Sequence, residues 1–254
     1  MTVTALHVGG PTLVLRWAGR TVICDPTFDQ PGEYPGPVTL RKLTGPAVPA
    51  TALGPLDLVL VSHDQHADNL DRAGRDLLGL VPLALSTTAA AGRIPGVVGL
   101  EPWRSVPLGG NRATVTAVPA RHGPQGCEPF VGPVTGFLLR APGEPTVYVS
   151  GDNASVEVAA EIAERAPDVR IAVLHAGAAN TGRFGEEPLT LDARRAVAVA
   201  RLWPQSLVVP VHAEGWAHFT EPLDAVVQAF ADAGLGHRLT VLHPGEQTVL
   251  RAAL

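Results

Sequence analysis

The sequence predicts an α/β protein, and three observations carry that expectation. Short apolar runs recur along the 254 residues, each closed by glycine, proline or a polar side chain, which is how buried strands read. In the second half these runs alternate with helical spacing, as where Val158, Ile162 and Ala166 fall at i, i+4 and i+8. Hydrophobic residues make up 46% of the chain, enough for a sizeable core. No internal repeat, low-complexity tract or linker divides it, so residues 1–254 are expected to form one domain with meander strands in each half and helices outside.

In order, residues 3–8, 12–17 and 21–24 read as strands joined by tight turns. Residues 26–55 lack periodicity, and a loop of that length suits either a flap beside a pocket or a surface excursion. A strand at 57–61 precedes an amphipathic helix at 68–79 stopped by Gly79. Strands follow at 81–85, 97–100, 113–118, 134–140 and 146–150, then a helix at 154–166, a strand at 170–174, a helix at 191–203 and a strand at 206–211. Thr220 is expected to cap a helix over 221–233, with Pro222 in its first turn and Gly234 beyond it. Residues 239–242 and 248–250 close the chain as strands.

Charge and cysteine content narrow the class. A net charge of -5 with no Lys/Arg block disfavours nucleic acid, which is bound by neutralising many phosphates. No apolar run reaches membrane-span length, and Met1-Thr2-Val3-Thr4 has no basic segment leading into an apolar one, so a cytoplasmic protein is expected. Cys24 and Cys127 are too few for a disulfide framework. Cys24 reads as a buried free thiol and Cys127 as a surface one beside a solvated Glu128.

The chemistry concentrates in Ser62-His63-Asp64-Gln65-His66-Ala67-Asp68-Asn69, directly after an apolar strand. Desolvating so many polar groups costs several kcal/mol unless something pairs with them, and a divalent ion satisfies them together; a helix-capping loop is the plainer alternative. Position decides between the two. His63, His122, Asp152, His212 and Asp25 each follow an apolar strand, and ligands of open α/β sheets gather at the carboxyl ends of strands. Imidazoles and carboxylates without thiolates suit Zn²⁺, Mn²⁺ or Fe²⁺ in a catalytic site. His218 and Trp216, close after His212, suit a substrate contact or proton shuttle and a pocket wall. His7 and His175 read as core or edge histidines.

In these motifs the chain resembles the metallo-β-lactamase superfamily over nearly its whole length. Asp25, the 63–69 cluster, Pro119-Ala120-Arg121-His122, Ser150-Gly151-Asp152 and Val209-Pro210-Val211-His212 stand in the family's order. Leu189-Thr190-Leu191-Asp192 and Pro244-Gly245-Glu246 resemble the branch of sugar-phosphate lactonases and related broad hydrolases. The resemblance implies a four-layer αββα sandwich with the site between the sheet edges. It also implies a first metal on His63, His66 and His122, a second on Asp68 and His212, Asp152 bridging, and Asp25 supporting a ligand. Two departures bear on this. Where the family reads His-x-His-x-Asp-His, two residues separate His63 from His66, and Asn69 replaces the last histidine. An ungapped match puts Asp64 in the first ligand position, while the strand end favours His63. Asn69 is left to offer its amide oxygen weakly or to hydrogen-bond a ligand.

These residues point to metal-dependent hydrolysis of a small ester, lactone or related molecule. Asp68 would orient or deprotonate the attacking water and His218 protonate the leaving group. No Gly-x-Ser-x-Gly elbow is present. Arginines near the metals, Arg121 or Arg183, would turn the reading toward a phosphodiester, and Asn69 leaves open a catalytically silent metal-binding protein.

Overall fold

The computed structural model describes residues 2–109 and 112–252. In chain order its elements are β1 (Val3–Gly9), β2 (Thr12–Trp17), β3 (Arg20–Cys24), β4 (Gly32–Tyr34), β5 (Leu40–Lys42), β6 (Leu58–Leu60), α1 (Arg72–Leu78), β7 (Ala84–Thr87), α2 (Thr88–Ala91), β8 (Val97–Leu100), β9 (Ser105–Pro107), β10 (Thr114–Pro119), α3 (Glu128–Val131), β11 (Thr135–Arg140), β12 (Thr146–Val149), α4 (Val156–Arg165), β13 (Val169–His175), α5 (Ala193–Leu202), β14 (Leu207–Val211), α6 (Leu223–Asp232) and β15 (Gln247–Leu250). One sheet runs β15-β1-β2-β3-β6-β7-β8 and a second β14-β13-β12-β11-β10-β9, while β4 and β5 pair by themselves as a hairpin. No helix of the described residues is long and apolar enough to cross a membrane.

Successive side chains of a strand point to opposite faces, so a strand covered on both sides is apolar throughout. Leu13 and Leu15 of β2 face inward, where they share a core with Phe137, Leu139, Ile171, Val173 and Val209 of the second sheet. Val14 between them faces outward with Ile23 and Val59, against Leu77 and Leu78 of α1. Across the molecule, Ala172 and Leu174 lie outward with Leu138 and Tyr148, under Ile162 of α4, Val197 of α5 and Phe230 of α6. Helices, sheet, sheet and helices make the four-layer αββα sandwich that the resemblance implies. Trp17 also fastens the two halves, since its buried Nε1 donates to the Pro145 carbonyl at 2.9 Å.

Strand direction then positions the polar termini. β3, β6, β7 and β8 are mutually parallel, with Cys24 opposite Leu60. β12, β13 and β14 are parallel too, with Val149, Val173 and Val209 in line. Residues that follow these strands, Asp25, His63, Asp152 and His212, therefore emerge at the carboxyl edge of each sheet.

Several boundaries differ from expectation, each for a tertiary reason. The strand expected at 81–85 occupies Ala84–Thr87; Pro82 has no N–H to give a ladder. The segment 239–242 joins no sheet and makes one bridge, Leu239 to Val208. Thr220 does not cap α6: its hydroxyl donates to the Ala178 carbonyl at 2.6 Å, and Pro222 holds the capping position without a side-chain bond. The helix expected at 68–79 begins at Arg72, because Asp71 is its N-cap.

Asp71 does more than cap. Its carboxylate accepts from Gly74 N at 2.9 Å, Phe28 N at 2.9 Å and Asp29 N at 2.7 Å, and from Lys42 Nζ at 2.8 Å. Both charged side chains are buried, at 0% and 4% exposure. One carboxylate thus joins α1, the loop after β3 and the β4–β5 hairpin. Asp71→Ala, which strands the Lys42 ammonium, is expected to lower stability by about 3–5 kcal/mol, read as a fall in the urea midpoint by far-UV circular dichroism; an unchanged midpoint would contradict this account.

Candidate metal centre

Three imidazoles meet between the edges of the two sheets. His66 Nδ1 lies 2.9 Å from His63 Nε2 and 3.2 Å from His122 Nε2. The planes of these rings cross at 88°, 59° and 56°, so lone pairs lying in those planes can be directed at one point. His122 Nδ1 donates to the Leu189 carbonyl at 2.8 Å, which leaves Nε2 bare in the neutral ring and facing its neighbours. His63 shares its other nitrogen with Ser62 Oγ at 3.1 Å. Burial holds His63 well below the usual histidine range and pushes His122 down to about 4, so both rings are uncharged at neutral pH.

A second group lies behind the first. Asp152 Oδ2 is 3.8 Å from His122 Nε2, while Oδ1 accepts from His175 Nδ1 at 2.8 Å and Asn69 Nδ2 at 2.9 Å. Asp68 Oδ2 accepts from His212 Nε2 at 3.2 Å and His218 Nε2 at 2.9 Å. Burial opposes ionisation of both carboxyls, yet each stays well below the usual carboxylate range, Asp152 through His212, His175 and His122 and Asp68 through His218 and His212. Asp25 differs. Burial pushes it up to about 7 against the pull of His175 and of the Ser62 N–H, which bonds Oδ1 at 2.6 Å.

Bare ring nitrogens facing one another beside an ionised carboxylate are the donor set of a divalent cation. The buried Oδ2 of Asp152, the oxygen turned toward these rings, has no hydrogen-bond partner, and a buried carboxylate oxygen without one is costly. A divalent ion therefore fits the residues present.

Among the expected site residues, His63, His66 and His122 come together, as do Asp68, His212 and His218, with Asp152 between the groups and Asp25 behind Ser62. Asp64, the alternative to His63, points elsewhere: Arg93 Nε and Nη2 bind its carboxylate at 2.9 and 2.5 Å. Asn69 donates its amide N–H to Asp152 and to Ser62 Oγ. Cys127 is buried rather than at the surface, with its thiol donating to the His122 carbonyl at 2.7 Å. Trp216 is buried behind the cavity wall, its ring 5.3 Å from Tyr34. His175 is fully buried in contact with Asp152, and its other nitrogen lies 3.5 Å from Asp25 Oδ2. Its signal was the one that marks His63 and His212, a histidine closing an apolar strand.

Residues 20–213 match the family model described as the beta-lactamase superfamily domain. The chain belongs to the metallo-β-lactamase superfamily. Membership brings the broad class, a metal-dependent hydrolase, without a substrate. Solved structures agree on the fold. Isothiocyanate hydrolase from Delia radicum gut bacteria is 20% identical, with 98% of this chain and 100% of that one aligned at a TM-score of 0.83. Igni18, a metallo hydrolase from the archaeon Ignicoccus hospitalis KIN4/I, is 19% identical over 99% of both chains, TM-score 0.73. The metallo-β-lactamase fold protein YhfI from Bacillus subtilis is 12% identical over 97% and 98%, TM-score 0.65.

In this superfamily member His66, His122 and His218 border a cavity of about 430 Å³, walled by Tyr34, Val38 and Leu40 of the hairpin region and by Phe130, Phe184 and Leu189 opposite. Arg183 borders it as well, its guanidinium 4.7 Å from the Phe130 ring centre. Arg121 instead pairs with Glu157 at 3.2 Å, outside the residues that line this cavity.

Close backbone packing holds His212 in place. A Cβ on Gly177 would come within 2.1 Å of the His212 carbonyl oxygen and 2.7 Å of Ala213 Cα. Gly177→Ala is therefore expected to cost about 2–3 kcal/mol, as overpacking does, seen as a lower melting temperature by calorimetry. An unaltered melting temperature would show that this contact is not tight.

Proposed function

We propose that the protein is a hydrolase using one or more divalent ions, zinc first and Mn²⁺ or Fe²⁺ after it, on a small uncharged molecule with an electrophilic carbon. The observation that carries this is the meeting of His63, His66 and His122 with Asp152 beside a cavity in which Tyr34, Val38 and Leu40 face Phe130, Phe184 and Leu189. These four residues would hold the ion. When bound, it would supply a water of lowered pKa and an electrophilic point for the substrate.

The chain's own residues account for the rest. Asp68, kept ionised at the cavity edge, would orient the attacking water and accept its proton. His218 also lines the cavity, and its Nε2–H donates to Asp68 Oδ2 at 2.9 Å; that proton would pass to the leaving group, and Asp68, holding the proton taken from the water, would return one to the ring. Phe130, Phe184 and the Tyr34–Leu40 hairpin would exclude bulk water and seat an apolar substituent.

Carboxylic esters and lactones are the first substrates on this reading. The whole-length likeness to an isothiocyanate hydrolase favours a second, the isothiocyanate carbon, which is equally uncharged and electrophilic. A phosphodiester is less well served: of the arginines that line the cavity, Arg72 lies over the Tyr34 ring, Arg75 donates to the Asp64 carbonyl and Arg183 stacks on Phe130, while Arg121 is engaged by Glu157 outside it.

A panel of ester, lactone, isothiocyanate and phosphodiester substrates, assayed on zinc-loaded protein, tests this directly. Turnover of an uncharged member, abolished by chelation and lowered more than about 100-fold in His122→Ala together with its metal content, is expected. Full activity and metal content in that variant would refute the proposal.

A further inference from the structure

Two polar side chains left without a role by the scheme above meet on a single atom. Asn69 Nδ2 and His175 Nδ1 both donate to Asp152 Oδ1, at 2.9 and 2.8 Å. A carboxylate oxygen has two lone-pair sites in its plane, so that oxygen is filled. Oδ2 is buried and has no hydrogen-bond partner, and it is the oxygen turned toward His122 Nε2.

We infer that the centre holds a single divalent cation, on His63, His66, His122 and Asp152 Oδ2, and that Asn69 and His175 close the position a second ion would take. The inference rests on the metal-centre reading above and makes Asn69 and His175 positioning residues, acting through Asp152.

Ring geometry bears it out separately. Besides the three crossed imidazoles, a second set of ligand types lies close together, Asp152, His175 and His212. There the His175 and His212 rings are stacked, 13° apart in plane with centroids at 5.0 Å. Imidazole lone pairs lie in the ring plane, so an ion in the plane of one ring is well out of the plane of the other. The Asp68 side offers no better seat. His212 Nε2 and His218 Nε2 both face Asp68 Oδ2 at hydrogen-bond distance, and a ring nitrogen that donates there has no lone pair for a metal. Asn69 stands where the family pattern carries an imidazole, and its amide N–H, not its oxygen, is what reaches Asp152.

Counting bound metal decides the matter without reference to turnover. Purified protein is loaded with excess Zn²⁺, desalted, and measured by inductively coupled plasma mass spectrometry; one equivalent per chain is expected. Co²⁺ titrated into the metal-free protein should give visible d–d absorption that saturates at one equivalent. The Asn69→His, His175→Leu double variant restores a ring nitrogen and strips both donors from Oδ1, and it should rise to two equivalents by both measures. Two equivalents in the wild-type protein would leave the metal centre standing and overturn the single-ion inference. No bound metal at all would sink both. A double variant with native circular dichroism that stays at one equivalent would overturn the closing role of Asn69 and His175; were that variant unfolded, the wild-type count decides alone.

Discussion

Asp152 is a fully buried carboxylate, and much of the centre is arranged around keeping it ionised. Removing such a group from water costs several kcal/mol, and among the described residues no lysine or arginine stands against it as Lys42 does against Asp71. Its compensation comes from His175 and Asn69, which donate to Oδ1, and from His212, whose Nε2 lies 3.6 Å from the same oxygen. Each of these residues is brought there by a different element, so the charge can be accommodated only after both sheets have formed and packed. The same dependence makes the site a product of the whole fold rather than of the 63–69 motif.

The layered architecture explains how so many elements reach one place. Strands buried on both faces leave no room for polar side chains along their length, so polar groups collect where strands end. Two parallel blocks, β3-β6-β7-β8 and β12-β13-β14, point carboxyl ends toward the seam between the sheets. His122 arrives differently, at the end of the antiparallel strand β10, and is fixed by Leu189, a residue 67 positions later. That bond couples the first cluster to the loop before α5, the loop that also walls the cavity.

Much of this was legible in the sequence, and the parts that were not share a cause. Apolar runs located the strands, and the rule that polar residues at strand ends converge picked out Asp25, His63, His122, Asp152 and His212 before any geometry was known. His175 escaped because a single histidine closing an apolar run, with no further polar residue after it, reads as part of the strand. Asp71 fell inside the helix expected at 68–79 because its other partners, Phe28, Asp29 and Lys42, lie far back in the chain. The β4–β5 hairpin is three residues a side, too short for alternation to show, and is held by Tyr34 packing on Trp216 and by Lys42 reaching Asp71. Local pattern records what an element buries; it is silent on a bond made across the fold. The choice between His63 and Asp64 was of that kind, since only the position of Arg93 shows where Asp64 goes.

Backbone strain follows the same seam. Asp25 and His212 have φ of 42° and 59°, left-handed values that ordinary residues avoid and that cost on the order of 1–3 kcal/mol each. Both sit one residue past a strand, where the chain must turn at once for its side chain to face the centre. Long-range bonds hold the two conformations. Asp25 N donates to the Leu60 carbonyl and Thr12 Oγ1 to the Asp25 carbonyl. His212 N donates to the Gly10 carbonyl, across the seam on the other sheet. A glycine at either position would relieve the strain but remove the carboxylate that holds Ser62 N or the ring that holds Asp68, so the strain is the consequence of placing a polar side chain at a turn that would otherwise favour glycine. Gly177, packed against the His212 carbonyl, shows the complementary solution: there the neighbouring chain, needing no side chain of its own, gives up its Cβ so that His212 can keep its own.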